Sequence, residues 1–229
     1  MDVCFEYTQQ DVVAAGGKVD NFNMATAPDG AAAWTLLTTV MDEANNRVCA
    51  EVVHFSYFEV MYPTLPETGF APNRVTRLPQ QPSGLVYEEN AGVQLYIPKI
   101  DLRETIVSVP LGDGGWDVRW LGDWIGYLEG TAFPTWAGNT ALTGHVYLAD
   151  GTPGPFVNLS SLRWGDEIYV YAWGERYTYR VQSVEFVAPG DVSVLGHEDY
   201  DTLTLLTCQG YDEGLGAYRW RVVVRAVRE

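Results

Sequence analysis

Basic residues are scarce in this chain: 14 Lys and Arg stand against 30 Asp and Glu, a formal net charge of −16. Nucleic acid and anionic membrane surfaces both need a basic face, so neither is expected as a partner. Acidity of this size reads first as solubility. Apolar runs are short, and none approaches the ~18–20 residues of a membrane span. No signal peptide opens the sequence, so targeting of an exported protein is expected to lie outside it. Long runs of strong helix formers are missing, which argues against an α-helical fold. Histidine and cysteine are rare too, with 3 of each in 229 residues. Cys4, Cys49 and Cys208 make an odd count, which suggests one possible pair and one free thiol.

What is present points to β structure. Apolar residues make up 47% of the chain, enough for a core, and 23 Gly and 12 Pro supply turns. Residues 1–62 read as a small β-rich module. Within it 33–41 and 47–60 are strand-like runs, joined as a hairpin near Glu43-Ala44-Asn45-Asn46. Sixty residues build only a small core, so a Cys4–Cys49 disulfide would help it; two buried free thiols are the alternative. His54 sits in an apolar run and reads as a packed core residue. Residues 63–84 carry Pro63, Pro66, Pro72, Pro79 and Pro82, a density that favours extended linker. From 85 to 229 strand signals return at 93–97, 105–109, 124–128, 140–147, 167–173, 177–185, 202–207 and 218–227. The fold class expected is all-β: a closed eight-stranded barrel after a small β-rich segment.

Cys208 is placed at a strand end, just before Gln209-Gly210. A cysteine nucleophile needs a histidine or positive charge nearby to make its thiolate. His145, in Thr143-Gly144-His145, is the candidate; His197, in an acidic loop, reads as a solvated surface residue. Arg219, Arg221 and Arg225 alternate along one strand and share a face.

The run Thr204-Leu205-Leu206-Thr207-Cys208 resembles the Thr-Leu-x-Thr-Cys signature of the sortase family. His145, some sixty residues earlier, and Arg221, on the following strand, fit that family's histidine and arginine; Arg219 is the alternative. Leu95 to Ile100, Gly154 to Leu159 with Trp164-Gly165-Asp166, and Pro189 to Leu195 are similar to further family segments. The resemblance covers 92–229 and implies acyl transfer. Cys208 attacks the Thr–Gly carbonyl of a Leu-Pro-x-Thr-Gly signal, Arg221 stabilises the oxyanion, and His145 handles the leaving and incoming amines. Val192, Val194, Leu195, Thr204, Leu206, Thr207 and Tyr218 are then expected in the substrate groove. No cofactor is implied, although some relatives bind calcium. Asp191, Glu198, Asp199 and Asp201 are candidates for that or for a solvated acidic loop. The implied partners are LPxTG-bearing surface proteins and an amine acceptor, at the outer face of a bacterial envelope.

Two features stand beside the resemblance. Residues 42–56 are similar to terminal strands of modules in large bacterial surface proteins. The linker itself contains Leu65-Pro66-Glu67-Thr68-Gly69, a literal sorting motif, here trailed by Phe70-Ala71-Pro72 rather than an apolar span. It is expected to be a self-substrate, an internal blocker or a relic of a substrate–enzyme fusion. The competing reading for the whole chain is a self-blocked or non-catalytic stalk module.

Overall fold

The computed structural model describes residues 2–15, 18–27, 35–52, 57–61, 64–83, 86–87, 92–112 and 115–229. The chain divides into two compact units, Met1–Leu65 with Ala188–Ser193 and Pro66–Val187 with Val194–Glu229.

The first unit holds β1 (Asp2–Glu6), α1 (Gln9–Ala14), β2 (Asn23–Ala27), β3 (Thr35–Leu36), β4 (Thr39–Asp42), β5 (Arg47–Glu51) and β6 (Tyr57–Met61). They form two three-stranded sheets, β1-β5-β4 and β3-β2-β6. Phe22, Met24, Val48 and Ala50 are core residues here. The expected hairpin is β4–β5, turned by Glu43–Asn45 and closed by Asn46 at φ 53°, a left-handed conformation that asparagine tolerates. Two expectations need correction. The run 33–41 is broken after Leu36: the Leu37 N–H still donates to the Met24 carbonyl, but the Met24 N–H donates to the Thr39 hydroxyl instead of continuing the ladder. The run 47–60 is two strands in different sheets, since one strand of that length would overrun so small a core. The helix α1 was not anticipated, yet its start is written locally. The Thr8 hydroxyl accepts from the Asp11 N–H and the Asp11 carboxylate from the Thr8 N–H, a capping box. Cys4 and Cys49 face each other across β1 and β5 and are joined as a disulfide. His54 lies outside the described residues.

The second unit is a closed barrel. Its strands are β7 (Gln94–Ile97), β8 (Leu102–Val109), β11 (Ile125–Leu128), β12 (Gly138–Thr143), β13 (Glu167–Ala172), β14 (Glu175–Val187), β15 (Asp201–Asp212) and β16 (Ala217–Arg228). A minor hairpin, β9 (Leu111–Gly112) with β10 (Gly115–Trp116), stands apart. The order is β11-β12-β15-β16-β14-β13-β7-β8, closed by β8 against β11. Pairs β8–β11 and β12–β15 are parallel. Period-two alternation fills the interior: Ile168, Val170 and Ala172 of β13, Leu203 and Leu205 of β15, and Val222 and Val224 of β16 share one core.

Alternation then decides which residues leave the core. On β15, Thr204, Leu206 and Cys208 point opposite to Leu203 and Leu205, to the outer face, and all three are buried there. A strand buried on both faces must carry a covering layer on the outside. Two boundaries differ from expectation. β15 runs on to Asp212, because β16 pairs with it continuously, so Cys208 is inside a strand rather than at its end. β12 stops at Thr143, so His145 lies beyond the strand.

Candidate active site

Three elements deliver the polar cluster. In the β15–β16 ladder Cys208 is the direct partner of Arg221. In the parallel β12–β15 pair Thr143 is level with Leu206, and continuing that register by two sets His145 level with Cys208. The Thr207 hydroxyl donates to the Gly144 carbonyl at 2.7 Å and keeps the two chains aligned past the strand end. Register thus selects Arg221 over its neighbours. Arg219 is exposed and paired with Asp212, and Arg225 is paired with Glu198.

All three residues are buried: Cys208 0%, His145 1% and Arg221 4% exposed. Burial pushes the Cys208 thiol up to about 11, although the Arg221 charge pulls the other way. Burial likewise brings His145 down to about 4, opposed weakly by the Val118 carbonyl. Neither ring nitrogen of His145 completes a hydrogen bond of good geometry among the described residues, the approach to the Val118 carbonyl included. At neutral pH the pair therefore rests as thiol and imidazole.

The covering layer is the linker, and it is seated through Pro66–Gly69. The Thr68 N–H points at Cys208 Sγ, 3.1 Å away. The Thr68 carbonyl accepts from the Val146 N–H at 3.0 Å. Thr207 Oγ1 is 3.5 Å from the same oxygen, but its single proton serves Gly144 at the shorter distance. Arg221 Nε donates to the Pro66 carbonyl at 3.1 Å. In this arrangement the arginine therefore holds the Pro66 carbonyl, two residues before the Thr68 carbonyl, and the donor on the Thr68 carbonyl is Val146. Leu65 is 1% and Thr68 0% exposed, whereas Glu67, the variable position of the motif, is exposed. The Leu65 N–H donates to the Pro189 carbonyl at 2.8 Å.

The expected groove residues fall into separate roles. The Thr204 hydroxyl donates to Asn139 Oδ1, and Asn139 Nδ2 donates to the Val194 and Gly196 carbonyls, so Thr204 acts on the loop before β15 through Asn139. Val192, Val194 and Leu195 lie on the short turn Val192–Leu195. Leu206 is fully buried, and its carbonyl accepts from the Thr143 hydroxyl. Tyr218 packs with Val146 and Cys208, and its hydroxyl donates to the Phe70 carbonyl, on the far side of the Thr68–Gly69 bond. Three of the four acidic residues considered for calcium have other partners. Asp201 holds Tyr179 and Arg228, Glu198 holds Arg225, and Asp191 holds Ser193.

The model of the sortase domain matches residues 95–229. The chain belongs to the sortase family. Sortases are cysteine transpeptidases, and the thiol, histidine and arginine found together here are the residues the Thr-Leu-x-Thr-Cys resemblance singles out. Among curated relatives, sortase A of Staphylococcus aureus is 31% identical over 87 residues, 37% of this chain and 42% of that protein. Sortase A of Bacillus anthracis is 38% identical over 71 residues, 31% of this chain and 33% of that protein. The matches thus span less than half the length of these relatives. Among solved structures, sortase A from Corynebacterium diphtheriae, as a lid mutant, superposes with TM-score 0.52 at 32% identity. That match covers 62% of this chain and 72% of the other. Sortase C1 from Streptococcus suis gives TM-score 0.51 at 26% identity, covering 62% and 74%.

Sequence reasoning did not find Val146, Asn139, Tyr147 or Phe70. Val146 and Tyr147 act through backbone groups, which leave no side-chain signature. Asn139 is a polar residue in a fully buried strand, and such a position demands a partner. That was a usable signal.

Proposed function

We propose that this sortase-family chain is an active LPxTG transpeptidase whose first substrate is its own linker. The observation that carries the reading is the pose of Pro66–Gly69. Pro66 is held by Arg221, the Thr68 carbonyl by Val146, and Cys208 Sγ lies beside Thr68. In the reaction Cys208 Sγ bonds to the Thr68 carbonyl carbon while the Thr68–Gly69 bond breaks. His145 carries the thiol proton to the departing Gly69 amine. Residues 1–68 are then held on Cys208 as a thioester, and an incoming amine, deprotonated at His145, takes that acyl group and restores the thiol. Val146 N–H serves the developing oxyanion, and Arg221 sets the register and lowers the cost of the thiolate. A cavity of about 730 Å³ borders Gly69, lined also by Phe70, Trp116, Val118 and Tyr211, and gives an acceptor amine a way in.

The module passed on, residues 1–68, is disulfide-bonded, as suits the outer face of a cell envelope. Its likeness to surface-protein modules fits the same setting, with LPxTG-bearing surface proteins as substrates in trans. A second reading, the linker as a block, is favoured by the neutral Cys208–His145 pair beneath it. Intact mass over hours, with and without a glycine nucleophile and beside Cys208→Ala, separates the two. Self-transfer yields residues 1–68 plus glycine, absent in the control. An unchanged mass, with cleavage of an added LPETG peptide only after the linker is displaced, means a block.

A further inference from the structure

Contacts between the linker and the barrel do not stop at the scissile bond. The Phe70 N–H donates to the Tyr147 carbonyl at 3.0 Å, and the Tyr218 hydroxyl donates to the Phe70 carbonyl at 2.7 Å. Further on, the Asn73 N–H donates to the Gly151 carbonyl at 2.9 Å and the Thr76 N–H to the Ala149 carbonyl at 2.7 Å. The Phe70 ring lies against the His145 ring, centroids 5.1 Å apart and tilted by 41°. The track is shaped as well as hydrogen-bonded. A Cβ on Gly69 would stand 2.5 Å from Val146 Cγ1 and 2.8 Å from Tyr218 Cε2. A Cβ on Gly151 would stand 2.4 Å from the Arg74 nitrogen, and Gly151 has φ +84°. Both surfaces are cut to admit a backbone at close range.

We propose that the barrel carries a second peptide-binding track on the leaving-group side, built from Tyr147–Gly151, Val146, Tyr218 and the face of His145, which selects an extended segment with an aromatic residue directly after the glycine. The ligand class is a Thr-Gly-aromatic peptide continuing for about six residues. Backbone pairing gives it affinity irrespective of side chain, and the aromatic packed against the His145 ring supplies selectivity. This segment shields the imidazole from water. It also stays bound after the cut, so the new Gly69 amine remains at the thioester and competes with any outside acceptor. That consequence rests on the proposed transpeptidase activity; the track itself does not.

The experiment therefore reads binding first. In the full chain carrying Cys208→Ala, which cannot cleave, amide hydrogen exchange is followed at Phe70, Asn73 and Thr76. Protection of all three is expected. With Phe70→Ala added, protection at Asn73 and Thr76 should fall at least tenfold. Exchange at intrinsic rates in Cys208→Ala, or protection indifferent to Phe70→Ala, overturns the track whatever the enzyme does. Selectivity is read in the catalytically intact Phe70→Ala chain, offered Leu-Pro-Glu-Thr-Gly-Phe-Ala-Pro-Asn-Arg or the same peptide with Ala for Phe. The aromatic peptide should react with at least tenfold higher kcat/KM; equal turnover overturns the selectivity. Should neither peptide react while exchange protection holds, the activity reading fails and the track stands.

Discussion

A thiol shifted to about 11 and an imidazole to about 4 describe a site at rest, not one poised to attack. Both shifts have burial as their leading cause, and the linker is what covers Cys208 and His145. The proposed acyl transfer therefore requires movement of that layer or the transient minority of charged pair. Because the Cys208 pKa is raised, the thiolate is scarce at pH 8 and grows about tenfold per pH unit until about 11. Alkylation by iodoacetamide should follow that slope in the intact chain. Where the linker is displaced, the midpoint should move down toward the ordinary thiol range. A flat profile between pH 8 and 10 would mean the thiol is already ionised under the linker.

Between elements, register does most of the positioning. The antiparallel pair β15–β16 sets Arg221 opposite Cys208, and the parallel pair β12–β15 brings the chain after Thr143 level with the thiol. A shift of one residue would send Cys208 into the core and Leu205 or Leu203 out, so the buried alternation of these strands also locks the site. The linker adds a constraint at Gly69, where the crowding atoms belong to the buried side chains Val146 and Tyr218. Overpacking of this kind typically costs about 1–3 kcal/mol. Gly69→Ala should therefore slow self-cleavage roughly 5- to 150-fold. The same change vacates the groove, so cleavage of an added LPETG peptide should rise. A fall in both would show damage to the barrel instead.

For the whole molecule, the division into two units makes separate stability tests possible. The first unit has a small core and a disulfide between residues 45 apart. The chain-entropy relation puts such a crosslink at about 4 kcal/mol. Reduction should lower the first unit's melting transition in calorimetry and leave the barrel's in place, because the barrel's one cysteine is the free Cys208. A barrel transition that moves by the same amount would show the two units to be thermodynamically coupled. No helix among the described residues is long and apolar enough to cross a membrane. The −16 net charge favours solubility and repels anionic surfaces.

Read alone, the sequence was enough for the barrel and its number of strands, because period-two alternation is a local property, and a five-residue signature was enough to single out Cys208, His145 and Arg221 as candidates. It also displayed the sorting motif as a string. It did not show that the motif is seated, since a linker's destination depends on contacts made some 140 residues away. Nor did it show the backbone groups of Val146, Tyr147, Ala149 and Gly151, which every residue possesses and only the fold aims. The extent of β15 and the end of β12 were misjudged for the same reason: strand ends are set by the neighbour that pairs with them. Composition and pattern determined the scaffold and the candidate side chains, and tertiary structure decided what lies against them.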